Sequence, residues 1–481
     1  MDKQKMYVNG VWKDSESGKA MEVINPFNGE VVGSVPFATQ NEVKEAISAA
    51  AESFENWSGL TAQKRAEYLK KWHGLMLEQT DSIAQTLTLE QGKPLIEAKG
   101  EVIAAAKYLE WYAEEAVRNY GEIIPATNEN KRVMVIRQPV GVVGAITPWN
   151  FPASMITRKI APALAAGCTV ILKPASQTPL TAVKIIRLAH DAGIPEGVIN
   201  LVTGSSQLIG EELMADKRVR KITFTGSTEV GKNLMRQSAD TLKRISLELG
   251  GHAPYLVFED ADVEKAVKGV MQAKFRNSGQ MCVAGNRFYV HEKVYDLFIS
   301  RLRELFKTLQ SGNGLLPGID LGPIIDRKAY EKIQAHVEDA REKGAVLVCG
   351  GQGRHEGKHT DAGYFFEPTL LTNMTKEMKI MQEETFGPIM AIRRFETEEE
   401  VIRMSNETQF GLAAYVFTES LSRGIRVAES LQYGVIGLND GSPSSVQAPF
   451  GGFKESGLGR EGGHHGFDAF LETKMISIGI K

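Results

Sequence analysis

The sequence predicts an α/β fold of two packed domains, and two patterns lead to this prediction. After residue 132, short runs of β-branched residues alternate with helical segments, which is the pattern of a parallel sheet. A second alternation of this kind continues from 251 to 450. The 481 residues, 42% of them hydrophobic, suffice for about three domains of ordinary size. We therefore expect two separate hydrophobic cores.

The N-terminal quarter is predicted to be mostly helical after a short piece with strand and turn character. Apolar residues recur at helical spacing from 39 to 57, where Thr39 and Glu42 give the Thr-x-x-Glu pattern of a capping box. Further amphipathic stretches lie at 62–79, 80–92 and 97–118. These helices offer packing faces and suggest no chemistry.

Residues 140–250 predict a doubly wound unit that binds a nucleotide. Its strand-like runs are VGVVGAIT, TVILK, VINLV and KITFT. One separating helix opens at Thr178 and Pro179, a side-chain cap followed by proline at the first helical position. Two of the strands end in glycine turns, at Gly204 and Gly226.

Residues 251–450 predict a second α/β domain. Its strand-like runs are PYLVF, NRFYVH, AVLVCG, GPIMAI and AAYVF. The sequence has no internal repeat, low-complexity tract or Gly/Ser-rich linker. We therefore expect the two domains to pack against each other.

The composition argues against several classes of partner. The formal net charge is −3, from 56 basic and 59 acidic residues, and no long run of one sign would form a nucleic-acid track. The longest uncharged apolar run, Ile160 to Leu172, is shorter than the ~20 residues of a membrane helix, and the N-terminus lacks the apolar core of a signal peptide. We expect a soluble, cytoplasmic protein without nucleic-acid or membrane partners.

The three cysteines give neither a disulfide framework nor a zinc pattern. Cys168 and Cys349 lie among aliphatic residues, as structural cysteines do. Cys282 lies in NSGQMC, among small and polar residues, and is either a nucleophile or a structural thiol. A free thiol of pKa ~8.5 is mostly protonated at pH 7, so a nucleophilic role requires a helix terminus, a cation or a base nearby.

Other polar groups allow both a functional and a plain interpretation. Glu248 lies between two leucines, where burial would raise its pKa and suit a general base, but it could also be a solvated residue at a strand end. The turn at 224–231 opens a helix whose N–H groups could bind a pyrophosphate, although it lacks the GxGxxG spacing. Lys173 ends the run TVILK, and Ser176 follows it three residues later. Their side chains can face the same crevice, or Lys173 is simply solvated.

Seven motifs, in this order along the chain, resemble the NAD(P)-dependent aldehyde dehydrogenase superfamily. They are TPWNFP (147–152), KPAS (173–176), FTGST (224–228), LELGG (247–251), GQMC (279–282), ETFGP (384–388) and PFGGFKESG (449–457). The resemblance implies a Rossmann-type cofactor domain (1–118 and 140–250), an α/β catalytic domain (251–450) and a small β oligomerisation element (119–139 and 465–481). It also implies NAD(P)-dependent oxidation of an aldehyde to a carboxylic acid.

The resemblance assigns the chemistry to three residues. Cys282 would attack the aldehyde carbon, and the Asn150 side-chain amide and the Cys282 N–H would hold the oxyanion. Hydride transfer to the nicotinamide would leave a thioester, which Glu248 would hydrolyse by activating water. No metal is required. Ala284 stands where many relatives carry a second cysteine, so no Cys-x-Cys redox switch is expected.

The cofactor implied by the resemblance is NADP or NAD. The implied cofactor-binding residues are Thr147, Pro148, Trp149, Lys173, Ser176, Gly226, Ser227, Glu384 and Phe386. NAD-preferring relatives tend to have Glu at the position of Ser176. Serine leaves room and no negative charge against a 2′-phosphate, so we expect NADP to be preferred.

Within the superfamily the sequence is most similar to succinate-semialdehyde dehydrogenases, through MITRKIAPALAAGC, KFRNSGQ and FGGFKESGLGREGG. That substrate ends in a carboxylate. Arg158 and Arg276 match the carboxylate-binding arginines, and Ser444 or Ser445 matches the serine of that family. Glutarate semialdehyde or a broad range of aliphatic aldehydes remains the alternative.

The family also implies a homodimer or homotetramer in which strands pair between subunits. Two other classes of protein compete with this interpretation. A cysteine hydrolase would normally pair its thiol with histidine, and none of the nine histidines lies beside Cys282 in the sequence. A non-enzymatic relative would have no need of Cys282, Glu248 and Asn150 together.

Overall fold

A computed structural model describes residues 2–356 and 362–480 of the chain. Met1, residues 357–361 and Lys481, which belong to the predicted ranges 1–118, 251–450 and 465–481, lie outside the described residues. Among the described residues, no helix is both long enough and apolar enough to cross a bilayer.

Short strands and then long helices form the N-terminal region. They are β1 (Asp2–Lys3), β2 (Met6–Val8), β3 (Val11–Lys13), β4 (Ala20–Ile24), β5 (Val31–Pro36), α1 (Gln40–Ser58), α2 (Ala62–Glu78), α3 (Thr80–Gln91) and α4 (Leu95–Ala116). The predicted capping box is confirmed: the Thr39 hydroxyl accepts from the Glu42 N–H, and the Glu42 carboxylate accepts from the Thr39 N–H. The buried indoles of Trp57 and Trp72 join α1 and α2 to the core.

The next region alternates between strand and helix, as predicted. Its elements are β6 (Glu122–Ile124), β7 (Lys131–Pro139), β8 (Val142–Ile146), α5 (Ser154–Ala166), β9 (Thr169–Lys173), α6 (Pro179–Asp191), β10 (Ile199–Leu201), α7 (Ser206–Ala215), β11 (Val219–Thr225), α8 (Thr228–Ser238) and β12 (Arg244–Glu248). All thirteen residues of α5 are buried, so this helix crosses the interior.

The C-terminal half continues the alternation. Its elements are β13 (Ala253–Val257), α9 (Val263–Val270), β14 (Gly285–His291), α10 (Glu292–Thr308), α11 (Arg327–Glu342), β15 (Val346–Cys349), β16 (Gly353–His355), β17 (Tyr364–Phe366), β18 (Thr369–Thr372), β19 (Ile389–Phe395), α12 (Glu398–Asn406), β20 (Ala413–Phe417), α13 (Leu421–Ser430), β21 (Val435–Leu438), β22 (Gly457–Leu458), α14 (Gly463–Asp468) and β23 (Leu471–Gly479). A π-helical turn (Met271–Phe275) and a 3₁₀ turn (Arg276–Gly279) follow α9.

The α/β fold class is confirmed by two large sheets. Within the described residues the first has the order β22-β12-β11-β8-β9-β10-β2-β3, with β8 to β12 parallel. The chain runs outward from β8 to β10 and then returns to place β11 on the other side of β8. Ligands bind beyond the carboxyl ends of the strands at such a reversal.

The second sheet has the order β15-β18-β19-β14-β13-β20-β21, and all its strands except β15 are parallel. Its two faces carry separate hydrophobic cores. A third sheet joins β23, β7 and β6 in antiparallel pairs. Apolar side chains on this third sheet face solvent, among them Ile123, 80% exposed, and Met475, 63% exposed.

The N-terminus of α6 differs from the prediction. The Thr178 hydroxyl makes no cap and donates instead to the Trp149 carbonyl, at 3.5 Å. The buried Glu90 carboxylate of α3 accepts from the N–H groups of Leu180 and Thr181, at 2.7 and 2.9 Å. The prediction that Thr178 caps this helix is wrong because an acceptor from another helix satisfies these donors.

Candidate active site

Cys282 lies where two cavities meet. It occupies the loop between the 3₁₀ turn Arg276–Gly279 and β14. One cavity has a volume of about 590 Å³ and the other of about 230 Å³, and Cys282 and Met155 line both. A substrate held in one cavity and a cofactor held in the other could therefore reach the same sulfur atom.

The larger cavity contains most of the predicted cofactor residues. Those that line it are Pro148, Trp149, Gly226, Ser227, Glu384 and Phe386. Ser227 is the N-cap of α8, and its hydroxyl accepts from the Val230 N–H at 3.3 Å. Because the N-terminus of a helix attracts anions, this edge of the cavity suits a pyrophosphate.

Two glycines that line the larger cavity leave no room for a side chain of their own. A carbon added at Gly226 would lie 2.4 Å from the Phe224 ring, and one added at Gly250 would lie 3.0 Å from the Glu384 carboxylate. Both lie in loops that directly follow strands of the first sheet. The residues present therefore fit a dinucleotide, whose phosphates require close approach to the backbone.

The other predicted cofactor residues lie outside this cavity. Ser176 lines a neighbouring cavity of about 200 Å³, which shares Ile325 and Asp326 with the larger one. Thr147 and Lys173 line none of these three cavities: the Thr147 N–H donates to the Lys173 carbonyl at 3.1 Å. The Lys173 ammonium donates to the Ser206 hydroxyl at 2.6 Å, and burial lowers its pKa to about 8.

The surroundings of Cys282 favour the neutral thiol. Burial raises its pKa to about 12, and the Glu384 carboxylate adds to the shift, while the Arg158 guanidinium opposes it. An ordinary cysteine has a pKa of about 8.5. The surroundings of Cys282 therefore suppress the thiolate until a further positive charge arrives.

The Asn150 side chain is fixed beside Cys282. It lines the larger cavity, and its Nδ2 donates to the Gln280 carbonyl at 3.0 Å. An amide nitrogen carries two hydrogens. One is donated to Gln280, and the second, which has no acceptor among the described residues, can bind an oxygen in the cavity.

Glu248 ends β12 in a buried position and lines neither cavity that meets at Cys282. Its Oε2 has no hydrogen-bond partner among the described residues. Burial and the nearby Glu461 carboxylate raise the pKa of Glu248 well above its ordinary value, whereas Lys159 and Arg158 lower it. These surroundings therefore favour the neutral acid form of Glu248 over the carboxylate.

Two arginines line the smaller cavity, one buried and one exposed. Arg158, on α5, is buried; its Nε donates to the Tyr108 hydroxyl at 3.0 Å and its guanidinium lies 4.3 Å from the centre of the Phe450 ring. Its two terminal nitrogens have no oxygen acceptor in the part of the chain that the structure describes. Arg276 is exposed. Ser444 and Ser445 also line this cavity.

Comparisons with known proteins identify the family. The model of the aldehyde dehydrogenase family matches residues 12–476. The chain belongs to the aldehyde dehydrogenase family. It is 51% identical over 478 residues to the NADP⁺ succinate-semialdehyde dehydrogenase of Escherichia coli K12, covering 99% of this chain and 98% of that one.

Two further comparisons extend this picture. This aldehyde dehydrogenase is also 51% identical over 478 residues to a glutarate-semialdehyde dehydrogenase of Pseudomonas putida, with the same coverage. A crystal structure of an aldehyde dehydrogenase from Brucella melitensis biovar abortus 2308 superimposes with a TM-score of 0.97 at 53% identity, covering 99% of this chain and 98% of that one.

The structure adds residues to the site that the sequence did not reveal. Lys159 follows Arg158 on α5 and forms a buried ion pair with Glu461, beside Glu248. Tyr108 and Phe450 enclose the Arg158 guanidinium. Two adjacent cations in an otherwise apolar helix are the signal that could have identified α5 as functional. Within residues 2–356 and 362–480, no group of three or more His, Cys, Asp or Glu side chains could hold a metal.

The protonation state of Cys282 can be measured directly. Because its pKa lies near 12, the rate of alkylation by iodoacetamide in the absence of cofactor should be slow at pH 7 and rise about tenfold per pH unit through pH 9. Peptide mass spectrometry would follow Cys282, with the partly buried Cys349 as an internal reference. A rate that levels off below pH 8 would contradict this description of the site.

Proposed function

We propose that the enzyme oxidises succinate semialdehyde to succinate through a thioester on Cys282. The observation that carries the substrate assignment is the buried Arg158, which lines the smaller cavity and whose terminal nitrogens contact the Met155 sulfur but no oxygen acceptor among the described residues. A carboxylate can bind both nitrogens of a guanidinium at once. The names of the relatives support an aldehyde that ends in a carboxylate.

The aldehyde would be bound with its two ends in different surroundings. Its carboxylate would contact Arg158, with Arg276 and the hydroxyls of Ser444 or Ser445 nearer the opening. Its other end would reach Cys282, which lines the same cavity. Glutarate semialdehyde, longer by one methylene, remains the alternative, and a relative of equal identity carries that name.

The chemical steps follow from the arrangement around the sulfur. After the thiol proton has been lost to water, the Cys282 thiolate would attack the aldehyde carbon, and the resulting oxyanion would accept from the second Asn150 amide hydrogen and the Cys282 N–H. One such donor contributes about 3 kcal/mol to the stabilisation of a transition state. Bound NAD(P)⁺ supplies the hydride acceptor and a positive charge near the sulfur.

Hydrolysis of the thioester would use Glu248 as the base. Only the carboxylate form can accept a proton from water, and burial raises the pKa of Glu248 and so disfavours that form. The Lys159 ammonium lowers the pKa of Glu248 and so favours its carboxylate form. Glu461, the ion-pair partner of Lys159, places a second carboxylate near Glu248 and raises that pKa. Glu248 must also turn toward Cys282, because it lines neither of the cavities that meet there.

We propose NADP as the preferred cofactor. Trp149 and the α8 N-terminus at Gly226 and Ser227 would bind the adenosine and pyrophosphate, and Glu384 and Phe386 the nicotinamide ribose. Ser176, next to this cavity, offers a hydroxyl and no negative charge. The E. coli relative is named for NADP⁺.

The assembly we propose is a homodimer or homotetramer in the cytoplasm. The sheet of β6, β7 and β23, within the ranges 119–139 and 465–481, would be the oligomerisation element, because its exposed apolar side chains favour burial by another subunit. Residues 1–118 and 140–250 would bind the cofactor and 251–450 would carry catalysis. Three free cysteines suit a reducing compartment.

Truncating the arginines tests the substrate assignment. Loss of a charge-assisted contact of about 1.5–3 kcal/mol should lower kcat/KM for succinate semialdehyde by about 10- to 150-fold in Arg158→Ala, and by less in the exposed Arg276→Ala. The kcat/KM for butyraldehyde, which lacks the carboxylate, should fall little in either variant. Arg301→Ala, on the surface of α10, serves as the control. Equal losses on both aldehydes would show that the cavity does not bind a carboxylate.

A charge placed at position 176 tests the cofactor assignment. Ser176→Glu should lower the ratio of kcat/KM with NADP to kcat/KM with NAD, because a carboxylate would repel the 2′-phosphate. Ser176→Ala is the matched control and should keep a preference for NADP. An unchanged ratio in Ser176→Glu would mean that the 2′-phosphate lies elsewhere.

A further inference from the structure

A buried ion pair contacts the backbone of Asn150. The side chains of Lys93 and Glu101 are 0% and 2% exposed, and the Lys93 ammonium lies 2.6 Å from Glu101 Oε2. The same ammonium donates to the backbone carbonyl of Asn150 at 2.8 Å and lies 3.9 Å from the centre of the Phe151 ring. The ion pair therefore contacts the segment that carries the Asn150 amide.

A second donor reaches the same carbonyl. The Asn277 amide donates to the Asn150 carbonyl at 3.0 Å, and its oxygen accepts from the Gln91 amide at 2.8 Å. The Gln91 oxygen in turn accepts from the Lys93 N–H at 3.0 Å. Lys93 and Asn277 are thus linked through Gln91 and bind one acceptor from two sides.

Glu101 fixes the residues that follow Asn150. Its Oε1 accepts from the N–H groups of Ala153 and Ser154, at 2.8 and 3.2 Å. The ion pair therefore bridges both ends of the short segment 150–154, where the chain turns from β8 into α5. The Asn150 side chain is then held at its tip by the Gln280 carbonyl.

We propose that Lys93 and Glu101 are positioning residues that aim the Asn150 amide at the oxygen of the reacting aldehyde. This inference rests on the proposed oxyanion-binding role of Asn150. Catalytic hydrogen bonds are sensitive to position, and a displacement of about 1 Å can lower a rate by about 10²-fold. A buried ion pair by itself adds little stability compared with apolar residues of the same volume. Its contact with the Asn150 carbonyl instead points to a role in positioning Asn150.

The double variant Lys93→Met/Glu101→Gln tests the proposal. It removes both charges together, so neither is left unpaired, and glutamine keeps an acceptor for Ala153 and Ser154. For the aldehyde that the wild type oxidises fastest, kcat/KM should fall by about tenfold or more. The Cys282 alkylation rate and the dissociation constant of NADP⁺ should stay within about twofold, because neither process develops an oxyanion.

A double-mutant cycle with Asn150→Ala separates positioning from a general loss of structure. If the ion pair acts through Asn150, the double variant should lower kcat/KM by less than about twofold further in an Asn150→Ala background. The proposal would be overturned if the losses in kcat/KM from the double variant and from Asn150→Ala multiplied in full. It would also be overturned if the Cys282 alkylation rate fell in parallel with kcat/KM.

A second variant leaves the ion pair intact. Asn277→Gly removes one donor to the Asn150 carbonyl, and glycine suits the positive φ of 50° at this position. It should also lower kcat/KM, and its effect should be non-additive with that of Asn150→Ala. This variant tests the proposal independently if the double variant does not fold. If Asn150→Ala itself has no effect, the oxyanion role fails. If only Asn150→Ala has an effect, the positioning role fails.

Discussion

The position of one partly buried sulfur atom at the junction of two cavities is the constraint on which the rest of the site depends. In the mechanism that we propose, an aldehyde would reach Cys282 from one side and a nicotinamide from the other, and water would stay out until the thioester has formed. Burial has an electrostatic consequence, because the pKa of the thiol rises to about 12. A positive charge close to the sulfur would favour the thiolate that the proposed nucleophilic role requires.

The surrounding charges are arranged around that constraint. Helix α5, buried along its whole length, carries Arg158 toward the smaller cavity and Lys159 toward Glu461. Adjacent residues on a helix point in different directions, so two neighbouring cations can serve separate tasks. Arg158 lines the smaller cavity, where we propose that the substrate binds, and Lys159 lowers the pKa of the proposed base, Glu248.

Features fixed by neighbouring residues could be predicted from the sequence, and features fixed by distant residues could not. The capping box of Thr39 and Glu42 was predictable because its partners lie three residues apart. Thr178 looked like an equally good cap, but Glu90, from another helix, takes its place. Cys282 stood out because its small, polar neighbours differ from those of a structural cysteine. The family motifs then indicated most of the residues around the larger cavity.

The parts of the site that escaped prediction are long-range contacts. Lys159 meets Glu461 across 302 residues, and Lys93 meets the carbonyl of Asn150 across 57. The sequence alone does not show that Ser176 lies in a neighbouring cavity, or that Glu248 lines neither cavity beside Cys282, because both depend on how loops pack after folding. Both positions bear on the chemistry that we propose.

The most direct test of this account is the mass of the protein during turnover. Glu248→Gln should form the thioester but hydrolyse it slowly, so an acid quench should trap close to one succinyl group per subunit, located on the Cys282 peptide. The adduct should require both succinate semialdehyde and the oxidised cofactor, and should be absent when Cys282 is also replaced by alanine. An unmodified Cys282 under these conditions, or an acyl group on another residue, would contradict the mechanism.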